Sequence, residues 1–399
     1  MAEQTLTYEM LPPPPPPRSA WWRDERFLQF LAQAVFVIIV AGIGYFLFQN
    51  MVQSLAKQGM VLGYEFLESP TGFDISTSLI EHARESSNLR SIAVGVINTI
   101  VASLLGIVLA TILGVLVGIA SLSRNYLVNR FAWSYIEIFR NIPLLLVIFF
   151  TYTLVIFNLP AVRKSFHLPG EIFLSNRGLY MPKPLATATT GLYLIIGVVL
   201  LIGTFILVVK FCRRRKLDYF QMSLITLGIW LLGLLAAWLV LPEAPFQFEL
   251  PRLKGLNYVG GAEFTPEFVA IVLGLVLGSA PFIADTVRAG IQSVSKGQVD
   301  AARALGMSGY LTMRLIIFPQ ALRVIIPPMT SNYLSLTKNS TLAAAVGYPE
   351  LLHVSSSITS QTGRAVEMMS ILMAIYLALS LLTSLVMNWY NKRVQLVER

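Results

Sequence analysis

Eight stretches of the chain are apolar over close to the length that a membrane-crossing helix needs: approximately 28–48, 92–120, 139–158, 191–209, 220–241, 268–287, 325–348 and 368–390. A helix through the hydrocarbon needs about 20 such residues. Backbone amides in lipid must find partners inside their own segment, so each stretch predicts a helix. The least uniform is 325–348, which contains Pro327, Pro328, Asn332, Lys338 and Asn339. Residues 49–91 leave room for a short helix, and 159–190 is broken by Pro160, Pro169, Pro182 and Pro184. Stretches 191–209 and 220–241 are polar only at their ends, which suits a hairpin facing lipid. Two others carry Gly114-x-x-x-Gly118 and Gly274-x-x-x-Gly278, small faces that either admit close helix packing or arise by chance in apolar sequence. No internal repeat stands out.

Composition agrees with lipid as the solvent. Of 399 residues, 55% are hydrophobic and only 13% charged, about half the charged share of soluble domains. A single cysteine, Cys212, rules out an internal disulfide framework, and three scattered histidines (His82, His167, His353) argue against a metal site.

The formal charge of +9 raises the question of nucleic acid, and its distribution answers it. With the N-terminus in the cytoplasm, the segments on that side hold 18 Lys and Arg against 10 in the outer loops. Lys210, Arg213, Arg214, Arg215 and Lys216 form the densest cluster, whereas 49–91 carries Glu65, Glu68, Asp74, Glu81 and Glu85. The excess is therefore a topology signal that places both termini in the cytoplasm, with no nucleic acid partner. Residues 1–27 form a leader in which Pro12 to Pro17 favour an extended spacer.

The most informative stretch follows the sixth span. Gln298 to Leu305 favours helix, with Asp300 expected in its first turn and Gly306 placed for a left-handed cap. Val294, Ala301, Ala302 and Leu305 recur on one face. That face is small and weakly apolar, suited to a groove on another protein. A second short helix, Gly309 to Phe318, is expected to stop at Pro319.

Asp300-Ala301-Ala302-x-x-x-Gly306, followed after nine residues by Ile316-x-Phe318-Pro319, resembles the EAA signature of permease subunits of ABC importers. Gly297-Gln298, Ala304 to Ser308, Pro319-Gln320-Ala321, Lys338-Asn339-Ser340 and Phe139 to Leu145 resemble the polar and general L-amino acid branch, the histidine/glutamate-type uptake systems. The chain departs at Asp300, where that family usually has Glu, and at Phe318, where it has Leu.

The resemblance implies an all-α integral membrane fold of about eight transmembrane helices. A five-helix type I importer core, at 92–158 and 264–390, would be joined by an N-terminal span at 28–48 and a hairpin inserted within 159–263; a cytoplasmic tail would follow at 391–399. It further implies a coupling loop at about 290–324, with Gly297, Asp300, Ala301, Ala302, Leu305, Gly306, Ile316 and Pro319 as its contact residues toward a separate ATPase. ATP and Mg would sit on that partner, for the chain has no Gly-x4-Gly-Lys-Ser/Thr loop and no expected cofactor of its own. The assembly would hold a second, related permease, two ATPases and an extracytoplasmic amino acid binding protein in a bacterial inner membrane.

A charge at membrane depth costs about 2.5–3.5 kcal/mol on insertion scales. Lys338 therefore either helps hold a substrate's charged ends or snorkels to an interface. With Ser279, Asp285, Asn332, Ser335, Asn339 and Ser340 it forms the candidate translocation path. Ser279 and Pro281 mark an expected kink facing that path. Glu137 with Arg140 and Asp285 with Arg288 are expected as local i, i+3 salt bridges more than as gates. His82 and His353 are expected in solvent or against the binding protein. An ion-coupled secondary amino acid transporter is the alternative. It needs buried acids, and every acid other than Glu137 and Asp285 falls in a loop or terminus.

Overall fold

The computed structural model describes residues 25–57, 63–214, 219–241 and 243–394, apart from some side chains at 205–224 and near the ends. The leader before Glu25, the Cys212 side chain, the basic cluster at 210–216 and the last five residues lie outside what is described. Two units divide the chain, at Tyr64 and Glu65. Among its described residues the first contains one helix, α1 (Glu25–Lys57), apolar from Phe27 to Ser54 and largely exposed. Its 33 residues extend roughly 50 Å, longer than the predicted span.

The second unit is built around α7 (Pro266–Gln292). Thr265 caps its first turn and accepts from the Phe268 N–H. Packed on it are α2 (Asn88–Ala120), α4 (Leu144–Asn158) and α10 (Phe318–Asn339). The glycine pairs serve this packing. A Cβ on Gly114 would stand 2.6 Å from Ile283 Cγ2, and one on Gly118 2.8 Å from the Ala284 carbonyl, so α2 and α7 touch backbone to backbone. Ile148 of α4 lies equally close to Gly274 on the other side of α7. Ile271, Leu275, Ala280 and Ile283 are fully buried as a result.

Among the described residues, five helical runs are long and apolar enough to cross a bilayer, or six with one bent pair. That pair corrects the expected span at 139–158: α3 (Tyr126–Asn141) and α4 meet at 108°. The residue before a proline avoids helical dihedrals, and Ile142 before Pro143 is extended at φ −96, ψ 128. A second correction concerns 325–348. Helix continues from Gly309 to Val346, through Pro327 and Pro328 and into a 3₁₀ turn at Ser340–Val346. The hairpin helices α5 (Thr190–Arg214) and α6 (Tyr219–Val240) pack on each other, with described apolar stretches at Thr190–Thr204 and Ile225–Val240. Between α1 and α2 the only helix among the described residues is a single 3₁₀ turn at Glu65–Leu67.

The expected loops around the hairpin instead form short antiparallel strands. β1 (Phe166–Leu168), β2 (Ile172–Ser175), β3 (Gly178–Met181) and β8 (Ala262–Phe264) make one sheet in that order. β4 (Lys183–Ala186) pairs with β5 (Phe246–Glu249), and β6 (Arg252–Lys254) with β7 (Asn257–Val259). Tyr180, Tyr258 and Phe173 stack into their small core. β8 feeds the start of α7, so these strands sit at that end of the bundle; the connection from α7 to α10 lies at the other.

Candidate functional site

The connection between α7 and α10 starts with α8 (Lys296–Ala304), entered from Ser295. Asp300 is the fifth residue of this helix, not part of its first turn, because the helix begins two residues earlier than the pattern suggests. Its charge therefore lies beyond the dipole's strongest reach, and its carboxylate pairs with Arg303 at 3.4 Å in the open. At the C-terminus Gly306 has φ +72; its N–H donates to the Arg303 carbonyl at 2.9 Å, and that of Met307 to Ala302 at 3.1 Å. These two bonds define a Schellman cap. No atom lies within 4 Å of a Cβ built there, so conformation alone favours glycine.

The face expected to be shared by Val294, Ala301, Ala302 and Leu305 is divided. Ala302 is buried against the following turn and Val294 packs on the bundle core, while Ala301 is exposed and Leu305 is 81% exposed. Gly297 and Asp300 also face outward.

Pro319 does not end a helix. The chain turns through α9 (Gly309–Thr312) and a π turn at Met313–Ile317, then enters α10 with Pro319 in its first turn. Because helical residues precede it, Pro319 lacks an N–H for the preceding turn, and that turn is the wide π turn at Met313–Ile317. Ile316 is half-buried and Pro319 exposed. Leu305, Tyr310, Leu315 and Phe318 of this connection are large apolar side chains left exposed.

A cavity of about 260 Å³ lies among α3, α4, α7 and α10. Its walls include Phe139, Ile142, Ser279, Phe282, Asn332, Ser335 and Asn339. Four of the seven expected path residues therefore share one cavity. Asn332 also donates to Thr286 Oγ1 at 3.2 Å. Asp285, one turn beyond Phe282, receives Arg140 of α3 as well as Arg288 at 3.3 Å. Arg288 in turn covers the Trp133 ring at 4.3 Å. The expected Glu137–Arg140 pair is thus replaced: Arg140 reaches across to α7, and Glu137 points outward. Spacing along one helix cannot reveal that a bend brings a second helix closer. Lys338 is exposed and outside the cavity lining; Ser340 is buried and donates to the Thr337 carbonyl. Ser279 faces the cavity, but Pro281 is buried within α7.

Neither remaining histidine stands free in solvent. His82 is half-buried with Nε2 2.9 Å from Ser91 Oγ, and burial holds its pKa below the ordinary value. His353 belongs to a helix, α11 (Leu351–Thr362), within the expected loop 349–367. The residue before that helix escaped the sequence reading. Glu350 is completely buried, although it occupies a loop. Burial raises its carboxyl pKa against the opposing pull of the Leu352 N–H, the Tyr376 hydroxyl, the His353 N–H and the Thr99 hydroxyl. Its only sequence signal is its place just ahead of an amphipathic helix, where shorter side chains are the usual caps.

The family described as binding-protein-dependent transport system inner membrane component matches residues 106–396. The General L-amino acid transport system permease protein AapQ of Rhizobium johnstonii is 39% identical over 94% of each chain. The Putative amino-acid ABC transporter permease protein YhdX of Escherichia coli is 41% identical over 92% of this chain and 94% of its own. The Glutamate/glutamine/aspartate/asparagine transport system permease protein BztB of Rhodobacter capsulatus is 36% identical over 94% of this chain and 96% of its own. With the helical fold and its exposed α7–α10 connection, these matches show that the chain belongs to the family of binding-protein-dependent transport system inner membrane components and is a membrane permease.

Proposed function

We propose that this permease moves L-amino acids into the cytoplasm and draws the energy from separate ATPase subunits through the α7–α10 connection. The observation that carries the reading is that connection: a capped helix with Asp300, Ala301, Leu305 and Gly306 outward and the exposed Tyr310, Leu315 and Phe318 following it. Such side chains suit a protein partner, and the chain has no phosphate-binding loop of its own. ATP and Mg belong to that partner. Two such ATPases, a second related permease and an extracytoplasmic amino acid binding protein complete the assembly. The distribution of Lys and Arg puts both termini and the α8 end in the cytoplasm.

The cargo's path runs through the cavity lined by Ser279, Asn332, Ser335 and Asn339, beside the Asp285–Arg140 pair. Amides, hydroxyls and an ion pair there suit a small polar solute. The names of the relatives AapQ, YhdX and BztB favour amino acids as that solute.

The experiment is reconstitution of the purified complex in vesicles with labelled L-amino acids, ATP and the binding protein. Uptake that requires ATP and is lost in Gly306→Val, with the permease still folded, is the expected result. Uptake driven by a proton or sodium gradient without ATP would overturn the reading in favour of an ion-coupled carrier.

A further inference from the structure

The helical run from Gly309 to Val346 is 38 residues long, roughly 55 Å. One end joins the α8 connection; the second half carries Asn332, Ser335 and Asn339 into the cavity. The other end closes at Gly347, φ +81, where the Tyr348 N–H donates back to the Ala343 carbonyl at 3.2 Å. Beyond this turn, four residues are tied to two other helices. The Tyr348 hydroxyl donates to the Asn98 carbonyl, and Asn98 Nδ2 donates to the Pro349 carbonyl at 2.9 Å. The Leu351 N–H donates to Thr99 Oγ1 at 3.1 Å. Glu350 Oε1 accepts the His353 N–H at 2.9 Å, and Oε2 accepts the Tyr376 hydroxyl of α12 (Ala365–Val394) at 2.8 Å.

A buried carboxyl is costly, and a serine would cap α11 without one. The longer side chain does what a serine cannot: it spans from α11 to α12, 26 residues ahead in sequence. A rod pushed at one end reshapes a cavity along its length only when its other end is held. We infer that Glu350 is a positioning residue, the fixed far end of this rod, which turns displacement of the α8 connection into a change at the cavity. Without it, displacement is spent at the Gly347 turn. This rests on the reading that the α8 connection receives work from an ATPase.

The test uses the complete transporter in vesicles, with a mixture of radiolabelled L-amino acids and ATP hydrolysis measured on the same vesicles. In Glu350→Ala, hydrolysis continues at the native rate while uptake per ATP falls on the order of tenfold. Glu350→Gln keeps the volume and one acceptor oxygen and restores most of the ratio; Tyr376→Phe falls between. A native ratio in Glu350→Ala overturns the inference, as does an equal fall of uptake and hydrolysis in every variant. Should Glu350→Ala fail to assemble, a native ratio in both Glu350→Gln and Tyr376→Phe overturns it. Absence of ATP-driven uptake in the native complex would instead strike the transport reading beneath it.

Discussion

The two ends of the long α10 rod treat polar groups in opposite ways. At the α8 end, Asp300 and Arg303 pair in the open and Leu305 and Tyr310 extend outward, with few internal partners. At the α11 end, Asn98, Thr99, Glu350 and Tyr348 are buried and bonded to one another's segments. The difference teaches that polarity alone does not mark a contact surface. The exposed end leaves its groups unused by the rest of the bundle, as the proposed ATPase contact requires. The other spends them on holding four elements together, and so can resist when the first is moved.

The largest expected effect comes from breaking the closed end. Asn98 is 1% exposed, and its Nδ2 also donates to the Thr77 carbonyl at 2.8 Å. Asn98→Leu would leave the buried Pro349 carbonyl and the part-buried Thr77 carbonyl unpaired, the buried one at about 1–3 kcal/mol. Thermal unfolding of the purified permease should show a clearly lower Tm, while capture of the ATPase by the surviving folded fraction stays native. Loss of capture at unchanged Tm would invert the roles of the two ends.

Leu305→Ser should do the reverse. The side chain touches little of this chain, so stability stays within about 0.5 kcal/mol. Co-purification of the ATPase should fall severalfold. Equal capture by native and variant would remove Leu305 from the contact.

The closed end should also respond to pH. Burial raises the Glu350 pKa, so the folded protein keeps a proton that the unfolded chain releases. The stability this contributes is complete below the unfolded value and is lost as pH rises through the raised one. The titratable side chains facing it are the phenols of Tyr348 and Tyr376, with the Thr99 hydroxyl and the His353 N–H beside them. Native Tm should therefore decline from mildly acidic to neutral pH, with a flatter profile in Glu350→Gln. Parallel profiles would assign the slope to other groups.

The spans were legible because an apolar run of twenty residues admits few other structures, and the cap at Gly306 because glycine there has a local cause. What sequence concealed depends on neighbours remote in the chain. Arg140 had a suitable acid three residues away, yet the bend at Ile142 carries it to Asp285. The eight strands among the described residues have three or four residues each, too few to show a clear alternation in sequence, and four of them are exposed throughout. The polar neighbours of Lys338 pointed to a cavity, but α10 turns Asn332, Ser335 and Asn339 inward and Lys338 away. Glu350 was hidden most completely, since a loop position says nothing of what covers it.

The smallest expected effect on stability belongs to Asp300→Asn. The ion pair to Arg303 is 3.4 Å long, with side chains 70% and 61% exposed, and such pairs contribute about 0–1 kcal/mol. The fifth position in α8 leaves little help from the helix dipole. Tm should therefore scarcely move. If the carboxylate instead meets a basic group on the ATPase, ATPase capture by the native protein weakens as salt rises, because exposed charges are screened. Asp300→Asn should then bind less tightly at low salt and lose that salt dependence. Identical salt curves for the two proteins would mean that the carboxylate meets no charge across the contact, and that the exposed end engages its partner through Leu305 and its apolar neighbours alone.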